Sequence, residues 1–220
     1  MDLLQGLKSR RSIRGFKPEA VQREVIEDIL QIAGRSPSYT NTQPWEVAVV
    51  TGQKRDDLST LLYEVATNGT PMTPDVPAPA SWPEGAANRS KTHNINRFKA
   101  LGVGRDDTAR RNELRLENYR FFGAPCVLLI FMDEGFGPWS TMDMGGFTHA
   151  ITLAALGHGL GTCLQASLTY YPDPVRQFLG IDASKKLLVG MSLGVPDYDA
   201  PLNAYESARM DTTEFVHWYD

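Results

Sequence analysis

The sequence feature that most constrains the fold is a nearly uninterrupted apolar run, CVLLIFMD, at residues 126–133. A short run without polar alternation predicts a β-strand that is buried on both faces. A second segment, MGGFTHAITLAALGHGLGT at residues 144–162, is apolar nearly all round, which predicts a helix inside the protein rather than on its surface. These two segments are the expected centre of the core.

Helix and strand patterns occur along the rest of the chain. Helical spacing or helix end signals lie at residues 18–37, 55–69, 106–125 and 173–181, and apolar strand patterns lie at residues 46–52 and 186–197. The charged helix at 106–125 is predicted to stop at Gly123. Helices and strands mixed in this way over 220 residues predict one domain that spans residues 1–220.

Two segments carry no regular pattern. Residues 69–90 hold five prolines and almost no aliphatic periodicity, so they are predicted to form no regular element and to run over the surface. We interpret residues 69–105 as a lid, with a linker as the alternative. Residues 198–220 have proline early, aromatic residues late and little alternation, which predicts an arm laid over another surface.

The composition argues against several classes of function. The formal net charge of −4 and the pI near 5.6 disfavour a general nucleic-acid or anionic membrane surface, because such partners require a basic face. No segment approaches the roughly 20 apolar residues of a membrane span. Cys126 and Cys163 lie among apolar residues and are expected to be buried free thiols, with a disulfide as the alternative, which favours a cytoplasmic location. The four histidines are scattered, so no metal site is predicted.

The strongest local anomaly in charge is KSRRSIRGFK, residues 8–17, which holds five basic residues and no acid. Arg10, Ser12 and Arg14 fall at alternate positions, so an extended backbone would point all three the same way. Two guanidinium groups and a hydroxyl on one side suit a phosphate. The alternative is a solvated basic face.

A polar hinge, SPSYTNTQPWE at residues 36–46, separates the first amphipathic helix from the first strand. Its serine, threonine, asparagine and glutamine side chains lie on irregular backbone, where they and unpaired amides can address a polar, planar ligand. The alternative is that these residues only cap the helix and turn the chain.

Four blocks follow one another in an order that resembles the FMN-dependent nitroreductase family. They are RRSIRGF near the N-terminus, SPSYTNTQPWEVAVV some twenty-five residues later, GLGTCLQA past the middle, and a C-terminal arm that ends in FVHW. The resemblance covers nearly the whole chain except residues 69–105. It implies an α+β fold, a three-layer α/β/α sandwich with a central mixed sheet, in an intertwined homodimer whose C-terminal arm crosses to the partner.

The resemblance also implies residues that hold FMN. These are Arg10, Ser12 and Arg14, with Arg11 close by, on the phosphate and ribityl side; Pro37, Ser38, Tyr39 and Asn41, reaching the flavin from the partner subunit; Leu164, Gln165 and Ala166 along the isoalloxazine ring; and Arg209, completing the phosphate site. No catalytic side chain is expected, because the flavin itself carries the hydride.

The implied activity is the two-electron reduction of a nitroaromatic or quinone by NADPH or NADH in a ping-pong cycle. Phe122, Phe136 and Trp139 are candidates for the wall of the aromatic substrate site. The alternatives are a flavin enzyme of the same fold that acts on activated alkenes, halogenated aromatics or flavin itself, a flavin-binding protein without turnover, and a structural dimer with an empty site.

Overall fold

The computed structural model describes residues 2–220, and its centre is a four-stranded sheet. The strands are β1 (Glu46–Thr51), β2 (Cys126–Asp133), β3 (Gly161–Gln165) and β4 (Lys185–Gly194), in the order β1-β2-β4-β3. All three strand pairings are antiparallel. Within residues 2–220, the parallel component of the expected mixed sheet is a single bridge between Ser12 and Thr162.

Seven α-helices accompany the sheet in the described part of the chain. They are α1 (Leu3–Ser9), α2 (Arg23–Ala33), α3 (Gly52–Thr67), α4 (Glu84–Ala100), α5 (Thr108–Leu116), α6 (Pro138–Gly157) and α7 (Pro172–Leu179). Asp2 caps α1, because its carboxylate accepts the backbone N–H groups of Leu4 and Gln5. The sequence patterns did not predict α1, and none of the helices in residues 2–220 is both long and apolar enough to cross a membrane.

The central strand β2 is buried on both faces, as its apolar run predicts. Alternate residues of β2, among them Leu128 and Ile130, join a cluster with α2 and α6, whereas Leu129 and Phe131 join a second cluster with α3 and α7. Each face of the sheet therefore has its own helical layer and its own core. This arrangement confirms the α/β/α sandwich.

The long helix α6 is buried on one face only within a single chain. Met144, Phe147 and Ile151 pack into the core beneath the sheet. The opposite side of α6 carries a stripe of exposed residues, Met142, Gly145, Gly146 and His149, at helical spacing. The prediction that α6 lies inside the protein therefore holds for one side of the helix. On the other side, a stripe that contains two glycines is exposed in the single chain.

Residues 69–90 differ from the prediction. The segment is irregular as far as Pro83, but α4 begins at Glu84 and continues to Ala100. No residue of α4 is buried, so its sequence lacks the periodic apolar face by which helices are recognised. The helix predicted to reach Gly123 also ends early: α5 stops at Leu116, and a 3₁₀ segment follows, in which two phenylalanines have left-handed backbone.

The irregular part of the predicted lid is fastened to the sheet by a buried ion pair. Asp75 receives two hydrogen bonds from the Arg176 guanidinium, at 2.6 and 3.2 Å, and one from the backbone N–H of Leu187 at 2.8 Å. The C-terminal arm, in contrast, holds only two short 3₁₀ turns, and the ring of Trp218 near its end is 85% exposed.

Candidate functional site

Residues 10–17 of the basic segment, called the basic block below, follow α1 and pair with β3 through the bridge between Ser12 and Thr162. Ile13 is 3% exposed, and its backbone N–H donates to the carbonyl of Thr162 at 2.9 Å. A Cβ on Gly161 would lie 2.7 Å from Ile13, so only glycine lets the two segments approach this closely. Arg10, Arg11, Ser12 and Arg14 are all half-buried, so the common direction expected for Arg10, Ser12 and Arg14 stays a prediction.

Asn203 ties the basic block to the start of the C-terminal arm. This side chain is 3% exposed; its Oδ1 accepts the backbone N–H of Arg14 at 2.6 Å, and its Nδ2 donates to the carbonyls of Gly15 at 2.9 Å and Asp197 at 2.7 Å. Every hydrogen-bonding atom of the amide is thus used on backbone. The position of Arg14 is fixed by a residue that no sequence pattern indicated.

Four arginines form a cluster of positive charge around the block. Burial and the nearby Arg209 lower the pKa of Arg10, and burial and the nearby Arg14 lower the pKa of Arg97. The pKa of His93 is lowered by burial and by Arg14, Arg97 and Arg209. Like charges gathered in this way destabilise one another unless an anion joins them. We call Arg10, Arg14, Arg97, Arg209 and His93 the cation cluster.

The cation cluster has no internal counterion. Within residues 2–220, none of its four arginines forms an ion pair with a carboxylate. Arg97 Nε is buried and has no hydrogen-bond partner, and the same is true of Ser167 Oγ. Buried polar atoms normally have partners, so these two donors fit a polar ligand that carries negative charge.

Arg11 differs from its neighbours in the block. Its guanidinium forms an ion pair with Glu206 at 2.6 Å and lies 5.5 Å from the ring centroid of Tyr198. The family resemblance placed Arg11 close to the FMN phosphate, but its charge is already paired with Glu206 of the C-terminal arm.

The end of β3 and the residue that follows it expose two of the three candidate residues there. Leu164 is 42% exposed and Ala166 is exposed, whereas Gln165 is 2% exposed. The Gln165 side chain donates to the carbonyl of Asn118 at 2.9 Å and accepts from Ser192 at 2.5 Å. The side chain of Gln165 is therefore committed to the core, and the backbone of this segment is the part that can meet a flat ligand.

The polar hinge holds an unusual backbone. Thr40, Asn41 and Gln43 have φ angles of 49°, 60° and 48°, a left-handed conformation that costs energy for residues other than glycine. Buried Asp143 of α6 accepts the N–H of Tyr39 at 2.9 Å, and Ser38 Oγ accepts the N–H of Gln43 at 3.0 Å. These two bonds stabilise the strained loop, while Pro37, Tyr39 and Asn41 remain exposed.

The hinge and the cation cluster lie at different ends of α6. Asp143 holds the hinge near the start of the helix, whereas Arg10 lines a cavity with Thr152 and Leu156 near its end. Asp143 and Leu156 are thirteen positions apart in the sequence, which corresponds to about 20 Å along a helix axis. The two blocks expected to hold one flavin are therefore well separated within one chain.

The three candidates for a substrate wall have different environments. Phe122 is 6% exposed, and Phe136 is partly buried and packs against the core on the α2 and α6 side. Trp139 is 63% exposed and stacks on Tyr39, with ring centroids 5.9 Å apart. Only Trp139 presents its ring to solvent beside the hinge, and the roles of all three remain predictions.

Sequence reasoning missed two members of the cation cluster, His93 and Arg97, because they lie on α4 in the segment interpreted as a lid. A signal was present: residues 85–105 contain five lysines and arginines and no acid. No group of three or more histidine, cysteine or carboxylate side chains in residues 2–220 is arranged to hold a metal ion.

The fold and the cation cluster together define an α/β/α protein with a cluster of positive charge, suited to an anionic ligand, at the edge of its sheet. Comparisons with known proteins identify the family. The sequence profile of the Nitroreductase family matches residues 7–195. The chain therefore belongs to the nitroreductase family, as the sequence blocks predicted.

The most similar proteins found are described as nitroreductases. The chain is 35% identical over 209 residues to nitroreductase NfnB of Mycolicibacterium smegmatis, covering 94% of this chain and 88% of the relative. It is 32% identical over 210 residues to 4-nitrobenzoate reductase of Pseudomonas putida, covering 96% and 92%. The crystal structure of the FMN-dependent nitroreductase NfnB from Mycobacterium smegmatis in complex with NADPH superposes with a TM-score of 0.95 over all of both chains, at 33% identity.

Proposed function

We propose that this protein is an FMN-dependent nitroreductase that reduces nitroaromatic compounds or quinones with NADPH or NADH. The observation that carries the proposal is the cation cluster, which gathers four arginines without a counterion and includes one buried donor, Arg97 Nε, that has no hydrogen-bond partner. Relatives described as nitroreductases of nitrobenzoate and nitrobenzene, 32% and 35% identical, support the choice of substrate class.

The residues present fit FMN. Its phosphate would be held by Arg10, Arg14 and Arg209, none of which forms an ion pair with a carboxylate in residues 2–220, and Arg97 Nε would donate to an oxygen of the ligand. The exposed residues Leu164 and Ala166 would lie along the ring system. FMN, when bound, supplies a two-electron hydride carrier to which the chain contributes binding, orientation and a positive field.

The chain itself would position the reactants and exclude water. The exposed rings of Tyr39 and Trp139, stacked on each other, offer a flat apolar surface to an aromatic substrate. No side chain is assigned as an obligatory base, in keeping with a hydride carrier that needs none. A ping-pong order follows because donor and acceptor would use the same face in turn.

We further propose that the active form is a homodimer built on α6. Two copies of α6 packed antiparallel along the stripe of Met142, Gly145, Gly146 and His149 would place the start of one helix beside the end of the other. The hinge of one subunit would then approach the cation cluster of its partner, which overcomes the separation of about 20 Å within a chain. Glycine at the centre of the stripe permits close approach of the two helices.

The C-terminal arm supports the same assembly. Phe215, Trp218 and Tyr219 are 56%, 85% and 92% exposed in the single chain, which is unusual for large aromatic side chains. A second subunit is the surface on which this arm would pack. The cytoplasmic location stays a prediction, which the two buried free thiols favour.

The first experiment is an absorbance spectrum of the purified protein, recorded before and after anaerobic addition of NADPH and then of 4-nitrobenzoate. Flavin bands that bleach with NADPH and return with the nitro compound are expected, with FMN as the chromophore released on denaturation. A protein that stays colourless after FMN is added would contradict the proposal. Return of the bands only with an activated alkene or a halogenated aromatic would favour the alternatives.

The dimer is tested by Gly146→Trp. A side chain at Gly146 meets open space within the chain, so the folded subunit can accommodate the substitution. We expect sedimentation to show monomers with FMN lost, whereas Gln53→Trp on the exposed face of α3 should leave a dimer with flavin. A Gly146→Trp protein that remains a flavin-loaded dimer would rule out the α6 interface.

A further inference from the structure

A second positively charged cavity lies beside the candidate FMN site. It has a volume of about 760 Å³ and sits between the second half of α4 and the loop that leads to α5. Four cations line it, Lys91, Lys99, Arg105 and Arg111, and no acid does. We call it the α4 cavity.

The four cations of the α4 cavity are not neutralised elsewhere. None of them forms an ion pair with a carboxylate within residues 2–220. Arg111 is positioned by its own contacts: Nε donates to the carbonyl of Gly104 at 2.9 Å, and its guanidinium lies 4.1 Å from the ring centroid of Phe98. Uncompensated cations around a cavity favour an anionic ligand.

The rest of the lining is apolar. Ile95 is 54% exposed, Val103 is 8% exposed, and the ring of Phe98 lies between them in the same cavity. An apolar wall next to a group of cations suits a ligand that carries an aromatic ring and a negative charge close together.

Phe98 lines the α4 cavity and also lies next to Arg97 of the cation cluster. The guanidinium of Arg97 lies 5.1 Å from the centroid of the Phe98 ring, and that of Arg111 lies 4.1 Å from the same centroid. A small nitroarene must touch the flavin ring to be reduced, so it cannot at the same time occupy a cavity beyond Phe98. Only the distant end of a long ligand can do so, and the dinucleotide electron donor is such a ligand.

We propose that the α4 cavity binds the adenosine 2′-phosphate end of NADPH and thereby makes NADPH the preferred donor over NADH. The adenine ring would lie on the apolar wall of Ile95, Phe98 and Val103, and the 2′-phosphate would be held by Lys99 and Arg105. NADH lacks this phosphate and gains nothing from those two cations. The inference rests on the proposed function, whose donor it specifies.

The test compares Lys99→Gln/Arg105→Gln with the wild-type holoenzyme. Calorimetric titrations with NADP⁺ and NAD⁺ give binding without turnover, and anaerobic stopped-flow bleaching gives the dissociation constants for NADPH and NADH. We expect the double variant to bind NADP⁺ and NADPH about tenfold more weakly, because two charge-assisted contacts to the phosphate are lost. The loss should be confined to the ligands that carry the 2′-phosphate.

Lys54→Gln/Lys186→Gln is the matched control for net charge, since it also removes two cations, one on α3 and one on β4 opposite Met132, and both lie outside the cavity lining. It should bind NADP⁺ as the wild type does. Equal affinities of the wild type for NADPH and NADH, or a double variant that loses both equally, would overturn the inference while leaving the proposed function intact. If the double variant raised only the KM for 4-nitrobenzoate, the cavity would belong to the aromatic substrate, and the inference would also be overturned. Failure of both donors to bleach the flavin would instead refute the proposed function.

Discussion

Two arginines, Arg176 and Arg97, lie partly hidden in this protein in opposite electrostatic surroundings. Burial alone would lower the pKa of Arg176, but hydrogen bonds to Asp75 and Asp173 outweigh it and raise the pKa above its ordinary value. Burial lowers the pKa of Arg97, and the charge of another cation, Arg14, lowers it further. The first guanidinium donates four hydrogen bonds to its own chain from its two terminal nitrogens, whereas the second keeps a buried N–H without a partner.

The difference separates a structural cation from a functional one. An arginine whose donors are all used on its own chain stabilises the fold and has nothing left for a ligand. An arginine that is buried beside other cations destabilises the empty protein, and that cost is recovered when an anion binds. The two arginines should therefore respond in opposite ways to the same substitution.

The largest effect is expected for Arg176→Met. Removing the cation leaves Asp75 buried and charged, which should lower the free energy of unfolding by about 3 kcal/mol. Thermal denaturation measures the loss, and limited proteolysis should show faster cleavage within residues 70–83, which the pair holds down. The control is Asp173→Asn, whose carboxylate is largely exposed and should contribute less than about 1 kcal/mol. Equal effects of the two variants would contradict the structural role of the buried pair.

Arg97→Met should show the reverse pattern. The free energy of unfolding of the FMN-free protein should stay the same or rise, because an uncompensated cation is removed. The dissociation constant for FMN should increase about 10- to 100-fold, since a charge-assisted hydrogen bond contributes roughly 1.5–3 kcal/mol. Titration of FMN fluorescence provides the measurement, with Arg23→Met on the exposed face of α2 as the control. A destabilised protein with unchanged FMN affinity would make Arg97 a second structural arginine.

The smallest effect is expected for His93→Gln and concerns pH. Burial, Arg14, Arg97 and Arg209 lower the pKa of His93, and the Tyr205 hydroxyl lies 3.3 Å from its Nδ1. The unfolded chain therefore protonates first, and the FMN-free protein should lose stability as the pH falls below about 6.5.

A bound phosphate would offset the surrounding cations and favour protonated His93. The wild type should then gain about two- to threefold more FMN affinity between pH 8 and pH 6 than His93→Gln does. Comparison with the variant removes the contribution from titration of the phosphate itself. Denaturation curves of the FMN-free proteins and FMN titrations at both pH values test this. Identical pH profiles of the variant and the wild type would show that His93 does not sense the ligand.

The same contrast explains which parts of the molecule the sequence could predict. Strand β2 and the buried face of α6 follow from apolar patterns, because their burial is local in sequence and extends over many residues. The common direction of Arg10, Ser12 and Arg14 is expected from the geometry of an extended chain and stays a prediction. These features need no knowledge of what lies opposite them.

Features that depend on distant partners were not predictable. Arg11 and Arg10 are adjacent and chemically identical, and only Glu206, 195 positions away, neutralises the first and not the second. Helix α4 buries no residue, so its sequence has no apolar face from which to recognise it. The hinge residues with left-handed backbone are not glycines, so the local sequence does not indicate this conformation. It depends on a hydrogen bond to Asp143, which lies far away in the sequence.

The amide of Asn203 has a consequence for the order in which the protein matures. During synthesis the basic block leaves the ribosome early, but the residue that fixes Arg14 lies 189 positions later. Arg209, which completes the cation cluster, follows Asn203 in the chain. A chain that stops before Asn203 lacks both the residue that fixes Arg14 and Arg209, so under the proposed function it would lack part of the phosphate site even with all four strands present. Retention of flavin would then report that translation had passed Arg209.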